Sequence, residues 1–329
     1  MLTRAKLMSL VAGALLAGCA TAPVSSEDKP LAIYGNLQTI EIATTLLAAD
    51  EFYPGEASVT MGSIANLVDA PPVSGFGEVG EADIATNAET QALRYSVENP
   101  DLRILMTVTE GLYRVVARRS AEIATMADMK GKRVATIPQT SAGYFFGLML
   151  EREGLTYDDI TPVPIVPLAG MTEALAKGEV DAVVIWEPES ENSAQVLGND
   201  LIEFSGKGVY RELFNLNSTT DKLEDPATRA RIVRFVRALI DASEAARQNP
   251  ARAQELVTAS GSFDPHDVVE SWEHHNWLAA VPSDLLDVLV RQEQWLAGQS
   301  NRAPRSREQL ARLIDTSVYA EAMALGEGE

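Results

Sequence analysis

ALAKGEVDAVVIWEP, Ala174 to Pro188, contains a helix end, a turn and a buried strand. Ala174–Lys177 close an apolar helix, Gly178 supplies the turn, and Ala182–Ile185 is an apolar run of strand length. The run stops on Trp186, Glu187 and Pro188. In an open α/β sheet, ligands lie in the crevice outside the carboxyl ends of the strands. Trp186 and Glu187 are expected at such a crevice. GEADIAT, Gly80 to Thr86, repeats the pattern of GEVDAVV, Gly178 to Val184: a turn, an acidic pair, then a strand. Gln38-Thr39 and Gln139-Thr140 each follow a strand and precede a helix. Gln38 to Gln139 spans 101 residues and Asp83 to Asp181 spans 98. Two paired features at nearly one offset predict two similar α/β lobes.

The same reading extends outward. Leu31–Tyr34 reads as a strand and Ile40–Ala49 as a helix; Arg133–Ile137 reads as a strand and Ala142–Glu153 as a helix. Units of this kind favour parallel sheets. From Asp225 the chain is nearly all helical, with Asp225 as cap and Pro226 in the first turn. Ile232, Val233, Val236, Leu239 and Ile240 form its apolar face, and Arg229, Arg231, Arg234 and Arg237 are expected in solvent. Asp264-Pro265 starts another helix.

The chain has 329 residues, enough for two lobes, and 46% hydrophobic content, enough for a core. Its formal charge of −20 argues against nucleic acid and against a polybasic membrane face. Arg4 and Lys6 precede an apolar stretch, Leu7–Ala17, of signal-peptide length. Leu16-Ala17-Gly18-Cys19 resembles the bacterial lipobox, which implies cleavage before the single cysteine and lipidation of Cys19. Residues 1–18 are then a signal peptide and 19–29 a tether.

Several motifs fail on context. GFGEVG, Gly75 to Gly80, matches GxGxxG but follows Pro71-Pro72 and precedes a strand, so it is no dinucleotide loop. Asp267, Glu270 and His274 could share a helix face, but the acidic surroundings read as a solvated helix without metal. No GxSxG elbow is present, and Gly206-Lys207 lacks the upstream glycine of a P-loop. No cofactor is expected and no catalytic residue is assigned. The loop Pro138–Gly143 opens a helix, so its backbone N–H groups and the Thr140 and Ser141 hydroxyls could either bind a ligand or cap the helix.

MKGKRVATIPQTSAGYFFGLMLEREGL (Met129 to Leu155), the opening stretch, and ILMTVTEGLYRVVAR (Ile104 to Arg118) resemble ABC-transporter substrate-binding proteins of the nitrate/sulfonate/taurine and thiamine-precursor group. The resemblance implies a type II periplasmic-binding fold: two α/β lobes around a ligand cleft, with a helical C-terminal extension. Lobe one would comprise 30–110 plus 212–329, and lobe two 111–211. It implies a receptor rather than an enzyme, lipid-anchored in the periplasm on a membrane left undecided. Its partners would be a small solute and an ABC permease with its ATPase. Ligand contacts are expected from Asn36, Gln38, Asn87, Glu110, Tyr113, Arg114, Thr140, Ser141, Tyr144, Trp186 and Glu187. Trp186 could instead pack at the hinge, and Glu187 could brace it. Near the crossover only Arg114 and Arg118 offer the cation a sulfonate or nitrate would want, and a pyrimidine-like or amine-bearing solute suits the aromatics and carboxylates equally. The alternatives are a pyrimidine-precursor synthase on the same fold, or a shuttle or sensor without a permease.

Overall fold

The computed structural model describes residues 29–72, 75 and 77–326. The signal peptide, the lipidation residue Cys19 and the tether to residue 28 lie outside the described residues. No helix among those described is long and apolar enough to cross a membrane.

Two sheets organise the chain. The first holds β1 (Leu31–Gly35), β2 (Ala57–Met61), β3 (Ile84–Ala88), β4 (Leu102–Gly111), β10 (Glu212–Thr219) and β11 (His275–Asn276), in the order β11-β4-β10-β3-β1-β2. The second holds β5 (Arg114–Arg118), β6 (Arg133–Ala135), β7 (Thr161–Val163), β8 (Ala182–Val183) and β9 (Leu201–Ser205), in the order β7-β6-β8-β5-β9. β1 pairs in parallel with β2 and β3, and β6 in parallel with β7 and β8. The expectation of parallel sheets stops there. β10 runs antiparallel between β3 and β4, and β5 antiparallel between β8 and β9. Each of these strands arrives from the opposite lobe, by way of β4 to β5 and β9 to β10, and so enters its sheet reversed.

The lobes are repeats in their chemistry as well. Asp83 accepts the Ala32 amide at 3.0 Å and returns its own N–H to Ala32 O at 2.8 Å. Asp181 does the same with Arg133, accepting its amide at 2.8 Å and donating to its carbonyl at 2.8 Å. The acidic residue of each GE-x-D motif thus ties the incoming strand to the one already laid down.

Helices cover both faces of the first sheet. α1 (Ala43–Leu47), α7 (Pro226–Gln248), α8 (Ala251–Gly261) and α12 (Ser317–Gly326) pack on one face. α2 (Glu89–Tyr95), α10 (Leu285–Gln299) and α11 (Arg307–Ala311) pack on the other. Alternation along β1 divides Leu31 and Ile33 from Tyr34, which belong to different cores. In the second lobe α3 (Ser141–Arg152), α4 (Ala169–Lys177) and α5 (Glu189–Leu197) enclose Phe145, Phe146, Val115 and Val183. α4 ends at Gly178, whose φ of +72° is left-handed, where a side chain would strain the turn. α6 (Thr220–Glu224) leads into α7, where Asp225 accepts the Thr228 amide at 2.8 Å. α9 (Pro265–Ser271) is capped likewise by Asp264.

Four expectations are corrected. β6 ends at Ala135 and β8 at Val183, so both strands are two residues shorter than their apolar runs. Val184 still donates to Ala135 O at 2.9 Å before the chain turns into the cleft. Of the α7 arginines expected in solvent, Arg234 is exposed, but Arg229, Arg231 and Arg237 are partly buried. Arg229 pairs with Glu321 at 2.6 Å, and Arg231, 12% exposed in its side chain, lies 3.9 Å from Asp83. His274 falls beyond α9 on a 3-10 turn, and no group of three His, Cys, Asp or Glu among the described residues could hold a metal. His275 is buried and stacks on Trp277, with centroids 5.5 Å apart.

Candidate functional site

The chain crosses between lobes at Leu112–Tyr113 and again at 206–211. Gly206 N donates to Tyr113 O at 2.8 Å, so the two crossings run side by side. Above them a cavity of about 270 Å³ opens between the lobes. The first lobe lines it with Asn36, Thr39, Glu41, Ser63, Asn87, Arg94 and Tyr95, and the second with Ile137, Gln139, Thr140, Ser141 and Trp186. Glu212 and Phe214, at the start of β10, complete the lining.

Asn36, Asn87, Thr140, Ser141 and Trp186 thus meet as expected neighbours. Asn36 Oδ1 accepts the Gln38 amide at 2.9 Å, which shapes the first loop. Thr140 is the N-terminal flanking residue of α3 but does not cap it with its side chain; its hydroxyl donates to Ile137 O at 2.8 Å. The Ser141 hydroxyl is paired with Tyr113 Oη at 2.9 Å. Simple capping therefore does not explain these hydroxyls.

The repeated loops also form the mouth of the cleft. Trp186 Nε1, from the second lobe, donates to Gln38 O at 3.3 Å. Arg94 Nη1 and Gln91 Nε2, from the first lobe, donate to Gln139 O at 2.8 and 3.2 Å. Each loop thus presents a backbone carbonyl to a donor from the opposite lobe.

The other expected contacts sit elsewhere. Gln38 contributes its carbonyl to the mouth and is not part of the lining. Glu110 accepts from Arg211 at 2.7 Å and from Asn276 at 3.1 Å, beside the crossings. Tyr113 is buried beneath the cleft floor. Tyr144 lines a separate cavity beside the hinge, with Tyr210, Arg211, Arg291 and Gln292. Arg114 and Glu187 lie behind Trp186 rather than in the cleft. Arg114 meets Glu187 at 3.0 Å, Glu191 at 2.5 Å and Glu203 at 2.8 Å. Glu187 also accepts the Glu191 amide at 2.9 Å and the Ser271 hydroxyl at 3.4 Å, which joins the lobes. Arg118 pairs with Asp200 at 3.4 Å. One guanidinium cannot hold three carboxylates equally. Glu187 is the most buried of the three, and burial pushes its carboxyl up to about 7 against the pull of Arg114 and His275. Burial and the positive charge of Arg114 push the neighbouring His274 imidazole down to about 4.

Sequence reasoning missed the floor of the cleft. Glu41 and Glu212 are 2% and 4% exposed. A Cβ on Gly111 would meet Glu41 Oε1 and Glu212 Oε2, each at 3.1 Å, so both carboxylates converge on this glycine. Glu41, Glu212 and Ser141 line the cavity together. Burial, then the charges of Glu41 and Glu89, push the Glu212 carboxyl well above the usual carboxylate range. Thr39 Oγ1 donates to Glu41, and His275 Nε2 lies 3.6 Å from Glu41 Oε1. Behind them Glu89 accepts from Tyr210 at 2.6 Å and from the Leu213 amide at 2.9 Å. The one available signal was position: Glu41 follows the Gln38-Thr39 loop, and Glu212 opens the returning strand.

A family model described as NMT1/THI5 like matches residues 74–253. A protein of Escherichia coli strain K12 named for binding aliphatic sulfonates is 34% identical over 74 residues, which are 22% of this chain and 23% of that protein. The match thus spans about a quarter of that relative's length. The alkanesulfonate-binding protein SsuA from Xanthomonas axonopodis pv. citri, solved bound to MOPS, superimposes with a TM-score of 0.66 at 18% identity, covering 88% of this chain and 99% of its own. The desulfurization enzyme DszB, solved with biphenyl-2-sulfinic acid, superimposes with a TM-score of 0.63 at 15% identity, covering 91% and 99%. These likenesses establish the periplasmic-binding-protein fold, which carries both receptors and an enzyme.

Proposed function

This chain belongs to the NMT1/THI5-like family, and from that premise we propose that it is the solute-binding component of an ABC importer. It captures a small organic solute by closing two lobes, 30–110 with 212–329 and 111–211, and delivers it to a permease and its ATPase. Lipid on Cys19 holds it at a membrane facing the periplasm. The observation that supports this reading best is the cleft itself. Both lobes line it, two adjacent crossings hinge it, and donors from each lobe latch its mouth onto the repeated loop of the other. Asn36, Asn87, Thr140, Ser141 and Trp186 are the proposed contacts, with Glu187 and Arg114 bracing the wall behind Trp186.

Small-angle scattering with a thermal-shift screen tests the reading. The panel holds taurine, alkyl and aromatic sulfonates, nitrate, aromatic carboxylates, amines and hydroxymethylpyrimidine. A ligand at a hundred times its dissociation constant stabilises the protein by about 2.7 kcal/mol. A hit should compact the particle and survive unchanged in solution. A hit that is consumed supports the second reading, an enzyme on this fold, which the closeness of His275 to Glu41 favours. Membrane association that persists in Cys19→Ser would refute the anchor.

A further inference from the structure

We propose that the cleft takes an organic cation: a flat apolar body bearing an ammonium, amidinium or guanidinium group whose N–H donors dock between Glu41 and Glu212. The inference rests on the receptor reading of the cleft and names the solute class.

Charge and donor count set the solute class. Two buried carboxylates face the cavity and no Lys or Arg among the described residues is ion-paired with either. Arg94 is the basic side chain of the lining, and its guanidinium is held by Gln139 O at 2.8 Å and Gln139 Oε1 at 3.4 Å. Arg114, the cation expected for an anionic solute, is already engaged by three carboxylates. The N-terminus of α3, which favours an anion, opens on the same cavity as Glu212, with Ser141 and Glu212 both in its lining. A sulfonate entering here would bring a further negative charge beside a buried acid pair, with Arg94, already hydrogen-bonded to Gln139, as the lining's cation. A cation instead supplies what the pair lacks. Trp186, Tyr95 and Phe214 offer aromatic walls for a flat body, which cation–π attraction also favours.

Burial, then the charges of Glu41 and Glu89, push the Glu212 carboxyl well above the usual carboxylate range, so it keeps its proton to higher pH than an ordinary carboxylate. A docked cation replaces that proton, which leaves to solvent. Binding is then coupled to proton release, and affinity rises with pH. The groups around the pair are Thr39, Ser141 and Tyr113, the carboxylate of Glu89 on α2, His275 on β11 and Arg94 at the rim.

Isothermal titration with benzamidine, benzoate and benzenesulfonate tests this, because the three share a flat ring and differ in the charged group. It is run at pH 6 and pH 8, in buffers of different ionisation enthalpy. Benzamidinium should bind at least tenfold more tightly than either anion, more tightly at pH 8 than at pH 6, with up to one proton released. Glu212→Gln and Glu41→Gln should each weaken benzamidinium at least tenfold and narrow its lead over benzenesulfonate. Their melting curves report folding, and either variant suffices if the other does not fold. Preference for an anion, or a preference unchanged in a folded variant, overturns the proposal. If none of the three binds, native mass spectrometry of the protein purified from its host decides. A basic co-purified solute supports the proposal, an anionic one overturns it while leaving the receptor reading intact, and no solute in either experiment overturns both.

Discussion

Glu187→Gln exchanges a buried carboxyl for an amide of the same shape that cannot ionise. The wild-type carboxyl is pushed from an ordinary 4.5 up to about 7 in the folded protein. A raised carboxylate leaves stability intact below the unfolded value and loses it as pH climbs toward the folded value, because the unfolded chain gives up its proton first. Each pH unit in that window costs about 1.4 kcal/mol. From pH 4.5 to above 7 the wild type should therefore lose about 3 kcal/mol relative to the variant. Paired urea denaturation at half-unit steps from pH 4 to 8.5 measures the difference directly. The amide oxygen can still accept from Arg114, which also keeps Glu191 and Glu203, so the low-pH difference should be small. A difference curve that stays flat across the window would show that Glu187 is ionised throughout. The account of Arg114 as a cation divided among three acids would then be wrong.

Arg114→Met leaves Glu187, Glu191 and Glu203 without their common cation, and should cost about 3–5 kcal/mol at pH 8 by denaturant unfolding, with part of the loss recovered at pH 5. Gly143→Ala would put a Cβ 2.2 Å from Pro138 O; the loop must shift, at roughly 1–3 kcal/mol, and solute affinity should fall with it by titration calorimetry. Burial pushes the Glu293 carboxyl up, but hydrogen bonds from Arg302 and Arg305 outweigh it and hold it down at about 2. Its contribution is present above its ordinary 4.5 and lost as pH falls toward 2, so wild type and Glu293→Gln should converge in acid melting curves while differing at pH 7.

What the sequence made legible was local. A period-two apolar run, an Asp-Pro cap and a GE-x-D turn each depend on neighbouring residues, and β1, α7 and the paired Asp83 and Asp181 followed from them. The repeated Gln-Thr loops were visible too, and they form the cleft mouth. The floor was not visible. Glu41 and Glu212 are two of 47 acidic residues, and only their places after the Gln38-Thr39 loop and at the head of the returning strand set them apart. They meet because β10 returns from the second lobe to pair with β4, which is a property of topology. The antiparallel strands escaped for the same reason. Arg114 looked available because its three carboxylates lie 73 to 89 positions further along the chain.

The latch at the mouth bears on how an importer would tell a loaded receptor from an idle one. Gln38 and Gln139 each accept a donor directly from the opposite lobe. Hydrogen bonds of this kind contribute about 1 kcal/mol each, somewhat more for the Arg94 guanidinium. A latch of that strength makes and breaks thermally, so it cannot by itself report a bound solute. A transporter that responded to outline alone would cycle on vacant cargo carriers. For such a receptor the distinguishing signal would be how long the mouth stays shut, which solute contacts on the inner faces of the same two loops would prolong.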